Sequence, residues 1–280
     1  MKFSLKTAHA IDPQSLADLP RGSGVYIFKG DGTLPLYIGK SVDIRSRVLA
    51  HLRAEDEVQM MSQTRRVDFI ETAGEMGALL LEAHLIKVQN PLFNVRLRRS
   101  RQLCSLQIDD TQGFVVPQVV TGKDLGLGIV NGLYGLFSSA HGAREVLRQL
   151  ADQHRLCLGL LGLEKMGARG CFGLQVKTCL GACVGQEDRH AHDQRLLSAL
   201  ADLKVHAWPF AGAIEVIEQQ GDWVQYHRIH NWRYLGTRCS RGNAFSVNVP
   251  QAFDLDTYKI LVKPIMMGSA QLQMLEAASP

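Results

Sequence analysis

Two short runs, Gly24-Val25-Tyr26 and Tyr37-Ile38-Gly39, constrain this chain more than any other stretch. They belong to segments rich in β-branched and aromatic residues, Val25–Phe28 and Leu36–Ile38, that flank Gly30-Asp31-Gly32. Such side chains suit the half-buried surface of a strand, and Asp-Gly tolerates the positive φ of a tight turn. The stretch therefore predicts a β-hairpin with a tyrosine on each strand. Lys40-Ser41 follows, then a helix-like run that Ser41 or Asp43 can cap. Arg47 stands seven residues after Lys40, about two helical turns, so both cations can share one side. Arg45 points elsewhere and reads as a solvated or phosphate-touching residue.

Around this hairpin the pattern continues in short elements. Asp12-Pro13 can open one helical turn, with Asp12 as its cap. Glu55–Thr64 reads as helical, and Val67–Glu71 alternates as a third strand. Glu75–Gln89 predicts an amphipathic helix with Met76, Leu79, Leu80, Ala83 and Ile86 as its apolar positions. Glu82 follows three leucines and adjoins that stripe; a carboxylate there is costly unless it is paired or bound to a metal. Asn94 lies twelve residues on. Between Glu82 and Asp109 there is no acidic residue, while Lys87, Arg96, Arg98, Arg99 and Arg101 all fall there. Such a patch suits contacts to a phosphate backbone and equally suits a solvated loop.

Taken singly, each of these residues has a plain structural explanation. Lysine and arginine decorate surfaces, strand tyrosines pack, and a lone glutamate usually closes a salt bridge. The combination is more specific. Tyr-Ile-Gly-Lys at 37–40, the ten-residue step from Tyr37 to Arg47, Leu81-Glu82-Ala83-His84-Leu85-Ile86-Lys87 and Pro91-Leu92-Phe93-Asn94-Val95-Arg96-Leu97 together resemble the GIY-YIG nuclease superfamily. Their spacing is similar to that of the N-terminal nuclease domain of the excision-repair endonuclease UvrC. Ser23 stands where that family usually has proline, and Val25 replaces an isoleucine; neither change removes a reactive group.

The resemblance implies an α+β fold, with a small antiparallel sheet and helices forming the nuclease domain. It also implies a catalytic set of Tyr26, Tyr37, Lys40, Arg47, Glu82 and Asn94, with Mg²⁺ or Mn²⁺ held by Glu82. One divalent ion on a single carboxylate, with waters completing its shell, can polarise a phosphate. Arg47 can stabilise the charge of the pentavalent state, help that is commonly worth about 3–4 kcal/mol. Lys40 can do the same or lower a neighbouring tyrosine's pKa. Either tyrosine can serve as general base, and the sequence leaves that choice open. Asn94 is better suited to orienting a side chain than to chemistry.

Past residue 102 the chain changes character. Cys104–Gly122 offers strand-like pieces, and Gly132–Ser139 precedes a helix at Ala140–His154. Cys157, Cys171, Cys179 and Cys183 follow in the pattern C-x13-C-x7-C-x3-C. Clustered thiolates in a reducing compartment suit iron–sulfur or zinc. The last three spacings are similar to the cysteine motif of UvrC, which implies a [4Fe–4S] cluster, with Zn²⁺ as the alternative. Cys104 and Cys239 stand alone and read as buried thiols. His190–Val205 reads as helical, and Ala213–Gln219 with Trp223–His230 predicts a second hairpin. Trp223, Tyr226, Trp232 and Tyr234, with Arg228, Arg233, Arg238 and Arg241, are either a core or a DNA clamp. The last dozen residues read as a frayed tail.

The expected organisation is a nuclease domain at 1–102, a helical four-cysteine region at 103–205 and a small β-rich module at 206–280. A net charge of +4 permits nucleic-acid binding without arguing for it. No apolar run is long enough to cross a membrane, and the N-terminus lacks a signal-peptide core, so the reading is cytoplasmic; the chain is expected to be a monomer. The resemblance implies one incision, 3′ to a lesion in double-stranded DNA marked by UvrB, within nucleotide excision repair and the SOS response. A UvrB-independent structure-specific nuclease and an inert DNA-binding accessory protein are the alternatives.

Overall fold

The computed structural model describes residues 10–94, 103–109, 115–121, 126–167, 169–242, 245–246 and 253–275. The chain separates into two compact units, residues 1–100 with 210–280, and residues 101–209. The first and third segments of the sequence division thus share one unit.

In that unit, α1 (Pro13–Ala17) is the single turn expected, with the Asp12 side chain accepting from the Gln14 and Ser15 amides. The hairpin consists of β1 (Gly24–Lys29) and β2 (Pro35–Ser41), with Tyr26 opposite Gly39 and Phe28 opposite Tyr37. Then come α2 (Ile44–His51), capped by Asp43, a 3₁₀ turn at Glu55–Glu57 and α3 (Val58–Gln63). β3 (Arg66–Glu71) adds to β1, giving the antiparallel order β2-β1-β3, and α4 (Glu75–Gln89) follows. β1 is buried from Gly24 to Phe28 because helices cover both faces of the sheet. Tyr26, Phe28 and Leu36 pack with Ile44, Val48, Met60 and Met61 on one side. Val25, Ile27 and Ile38 pack with Leu81, Leu85 and Ile86 of α4 on the other. Alternation along a strand sends neighbouring residues to opposite faces, so this division is what Val25-Tyr26-Ile27-Phe28 demands.

In residues 101–209, β4 (Cys104–Asp109), β5 (Val116–Thr121) and β6 (Leu133–Phe137) form a sheet with β4 in the centre. α5 (Ala140–His154) and α7 (Arg189–Leu200) build its core through Ala143, Leu147, Ala151, Leu196 and Leu200 with Leu106. Between them runs an irregular segment containing the short α6 (Phe172–Gln175) and all four clustered cysteines.

The C-terminal segment supplies β7 (Ile214–Gln220), β8 (Trp223–His230), β9 (Arg233–Cys239), β10 (Phe245–Ser246), α8 (Leu255–Met266) and β11 (Gln271–Met274). Its antiparallel order is β10-β9-β8-β7-β11. The expected frayed tail is corrected here: Gln271–Met274 pairs with Ile214–Ile217 and closes that edge. The aromatic and arginine group also resolves toward packing. Trp223, Trp232 and Tyr234 are buried, and Arg238 both chelates the buried Glu215 and lies over Tyr226, 3.5 Å from its ring centroid. Arg241 covers Trp223.

This module is joined to α4 by polar contacts. The Met76 and Gly77 amides donate to the two Glu218 oxygens at 2.9 and 2.6 Å, and Ala73 N–H donates to Gln225. Free amides at a helix start need such acceptors. Burial alone would raise the Glu218 carboxyl, but the bonds from His227, Gly77 and Met76 outweigh it and hold it below the usual glutamate range. At the other end of α4, Lys87 pairs with Asp254 and, at 2.8 Å, with Asp256 of α8. The expectation that Lys87 is free for phosphate is corrected accordingly: two carboxylates hold it, and they outweigh burial and raise its pKa.

Candidate active site

Tyr26 and Tyr37 stand on adjacent strands with ring centroids 6.2 Å apart. Gly39, opposite Tyr26, explains how the buried ring fits: a Cβ at Gly39 would lie 2.3 Å from the Tyr26 hydroxyl oxygen. Tyr26 is only 1% exposed, whereas Tyr37 is half-buried. Burial raises the Tyr26 pKa, with Tyr37 adding to the rise and a hydrogen bond from Arg47 opposing it. Tyr37 is raised as well, by burial and then by the Glu82 charge, while its hydrogen bond with Tyr26 opposes the rise.

Glu82 comes to the site because α4 packs along the hairpin. Its Oε1 accepts from the Lys40 backbone N–H at 3.0 Å. Burial pushes its carboxyl up, against the Lys40 amide and the Lys40 charge. Among the described residues its Oε2 has no hydrogen-bond partner. A half-buried carboxylate with one uncommitted oxygen fits a divalent cation that keeps most of its waters. The Lys40 side chain itself pairs with Glu75 at the start of α4, while the Arg47 charge works against the rise of both tyrosines. Asn94 does structural work: it donates to Ile38 O and accepts from Ile38 N, both at 2.9 Å, and so fixes the backbone between Tyr37 and Gly39. Arg45 caps α1 instead of facing solvent, donating to the Ala17 and Leu19 carbonyls. Arg96, Arg98, Arg99 and Arg101 lie outside the described residues.

Two residues at this site were not singled out from sequence. His51 closes α2, and its Nε2 lies 2.7 Å from the Tyr26 hydroxyl. Its Nδ1 bonds the Glu57 carboxylate from the following turn. A histidine four residues after Arg47 was the available hint, because residues i and i+4 share a helix face.

The comparisons with known proteins fit this geometry. Residues 22–95 match the UvrC-like GIY-YIG domain, residues 103–202 the middle domain of UvrC/Cho excinucleases, and residues 213–279 the excinuclease Cho C-terminal domain. Excinuclease Cho of Escherichia coli K12 is 48% identical over 267 residues, covering 94% of this chain and 89% of that protein. This chain belongs to the excinuclease Cho family. Cho of Salmonella typhi is 50% identical over 260 residues, covering 92% of this chain and 87% of that protein. Among solved structures, the magnesium-bound N-terminal endonuclease domain of Thermotoga maritima UvrC is 30% identical, covering 34% of this chain and 99% of that one, with a TM-score of 0.27. Like Cho, the chain is a DNA endonuclease of the excision-repair type with a GIY-YIG catalytic domain.

The Cho-type middle domain carries the second site. The sulfurs of Cys157, Cys171, Cys179 and Cys183 all lie within 4.8 Å of one another. Burial pushes the Cys157 thiol up, and raises Cys171 to about 11. Thiols so raised stay protonated near neutral pH unless a cation displaces the proton. The surroundings brace them: Cys157 N–H donates to buried His192, and the Leu174 and Gly181 amides donate to Cys171 and Cys179 sulfur. Among the described residues no helix is long and apolar enough to cross a membrane.

Proposed function

We propose that this excinuclease hydrolyses one phosphodiester bond 3′ to a lesion in double-stranded DNA that UvrB has marked, with Mg²⁺ or Mn²⁺ held by Glu82. The observation that carries the reading is the convergence of Tyr26 and Tyr37, on paired strands, with Glu82, which bonds the Lys40 amide of β2 and keeps one oxygen free. Glu82 is the metal ligand; the ion it holds supplies charge relief at the scissile phosphate. Tyr37 is the residue that meets the attacking water, because Tyr26 is too buried to reach it. Arg47 offsets negative charge that builds around Tyr26 and the phosphate. Lys40 supports the site by its backbone bond to Glu82, and Asn94 by holding β2. Arg96, Arg98, Arg99 and Arg101 supply phosphate contacts that position DNA without reading its sequence. The functional division is 1–102, 103–205 and 206–280, and the chain acts as a cytoplasmic monomer within the response to DNA damage.

The four cysteines hold a metal group with a structural or DNA-sensing role. The resemblance to UvrC favours a [4Fe–4S] cluster. The sulfur spacing favours a second reading: Cys171 and Cys179 sulfurs are 3.6 Å apart, and one tetrahedral ion with bonds of about 2.3 Å needs roughly 3.8 Å. Iron, sulfide and zinc analysis of the purified protein, with its visible absorption, decides between them.

The test of the main reading is a nicking assay on lesion-bearing duplex labelled on the damaged strand, with Mg²⁺, with and without UvrA and UvrB. A 3′-side nick that requires UvrB and disappears in Glu82→Gln and Arg47→Ala is the expected result. Nicking without UvrB would place the protein among general structure-specific nucleases. Unimpaired nicking by Glu82→Gln would refute the proposed metal site.

A further inference from the structure

A base must pass on the proton it takes. Both tyrosines are held above the ordinary phenol range by burial, so neither is suited to wait as a phenolate for the attacking water. The hydrogen bonds around Tyr26 point to a different store. The Tyr26 oxygen has one proton and two lone pairs. Its hydrogen-bond partner is His51, whose Nε2 stands 2.7 Å away, and the Tyr37 ring lies beside it with centroids 6.2 Å apart. Glu57, bound to His51 Nδ1, is an acceptor and takes the Nδ1–H, which leaves Nε2 of the neutral ring as an acceptor for the Tyr26 proton.

We propose that His51, oriented by Glu57, is the proton acceptor of the nuclease centre and is loaded through Tyr37 and Tyr26. This rests on the reading of Tyr37 and Glu82 as the nuclease centre. As the water oxygen bonds to phosphorus, the water O–H breaks and its proton passes to the Tyr37 oxygen. The Tyr37 proton passes to the Tyr26 oxygen, and the Tyr26 proton passes to His51 Nε2. Both tyrosines end neutral, His51 ends as imidazolium beside the Glu57 carboxylate, and the leaving oxygen takes its proton from solvent. Nothing is oxidised or reduced.

The surroundings suit this task. His51 is 3% exposed and is boxed by Tyr26, Phe28 and Tyr37, with ring centroids 5.3–5.7 Å away, so the ring cannot turn out of line. It sits in the last turn of α2. Glu57 is about a third exposed and connects the buried end of the relay with water, where the proton can be released. His51 and Glu57 are therefore positioning and relay residues: they act on the reacting atoms through Tyr26.

The experiment is single-turnover nicking at saturating protein, in the assay above, by His51→Gly and Glu57→Gln. General-base help is typically worth 10²–10⁴-fold. His51→Gly is expected to lose about that factor while binding lesion DNA as tightly as wild type. Added imidazole is expected to restore nicking, whereas 1,2,4-triazole, the same size and far less basic, is not. Equal rescue by both azoles would show that His51 only fills space and would overturn the proposal. Glu57→Gln keeps an acceptor for Nδ1–H but removes the charge. It is expected to lower the single-turnover rate at least tenfold with the affinity for lesion DNA unchanged; a wild-type rate in this variant would also overturn the proposal, whatever happens to the folding of the His51 variant. The Glu82→Gln control separates the two readings, since nicking that survives it refutes the nuclease centre itself.

Discussion

Glu218 lets the coupling between the C-terminal module and the nuclease helix be tested in numbers. Its carboxylate accepts the Met76 and Gly77 amides at the start of α4 and also contacts His227. Truncating Glu218→Ala removes a helix cap, worth about 0.5–2 kcal/mol, and leaves amides that are shielded from water, at about 1–3 kcal/mol for such an unmet group. The loss of a negative charge at a helix N-terminus adds some tenths of a kcal/mol. These contributions overlap, so the expected loss is about 2–4 kcal/mol. For a unit of this size each kcal/mol moves Tm by about 2–4 °C, giving a fall of roughly 4–16 °C. Glu218→Gln is expected to do nearly the same, because an amide NH₂ would face one of the two N–H donors. The pH dependence has a definite sign. The folded carboxyl titrates below its unfolded value of 4.5, so its contribution is complete above about pH 4.5 and is lost as the pH falls through the folded value. Calorimetry of wild type and both variants at pH 7.5, 6 and 4 should show equal Tm gaps at the first two and a narrower gap at the last. A Glu218→Ala Tm within 1 °C of wild type at pH 7.5 would refute the reasoning.

Four other outcomes follow from the same geometry. Glu82→Gln should abolish nicking yet raise Tm slightly at neutral pH without metal, because burial raises that carboxyl and its charged form costs stability as pH rises; adding Mg²⁺ should shift wild-type Tm and not the variant's. Gly39→Ala should cost about 1–3 kcal/mol by overpacking against Tyr26 and should remove nicking while DNA binding persists, read by Tm and a binding titration. Asn94→Ala should cost about 2–4 kcal/mol, since it strands both backbone groups of Ile38 in a buried place; urea unfolding would measure it. Cys171→Ser should lower the bound metal per chain and the Tm of the Cys-containing unit, and an unchanged metal content would remove these thiols from the ligand set.

Much of this was legible where the chain interacts with itself locally. Glu75–Gln89 and Ala140–His154 are helices at the residues read from apolar spacing and from the residues at their ends. The hairpin was legible because turn chemistry and β-branched runs lie within twenty residues. What escaped depends on distant partners. α4 reads as amphipathic, yet it is buried on most sides because α8 and β9 cover what the hairpin does not; Ala83 and His84 therefore carry no hint of which partner they meet. The edge role of Gln271–Met274 is set by pairing with Ile214–Ile217; Gln-Leu-Gln-Met does alternate, but four residues are too short a run to set it apart from a tail. At the site, the residue types were legible but their duties were not. Lys40 and Asn94 act through backbone bonds, Arg45 closes a helix, and His51 acquires a role only when Glu57 and Tyr26 reach its two nitrogens.

The acceptor for the first amides of α4 lies more than 140 residues further along the chain, beyond an entire independent unit. A chain emerging from the ribosome therefore displays Tyr26, Tyr37 and Glu82 long before the strand bearing Glu218 exists. In that interval the first amides of the helix bearing Glu82 lack the acceptor they have in the finished fold. The start of α4 thus reaches its finished set of hydrogen bonds only once the C-terminal sheet has been made.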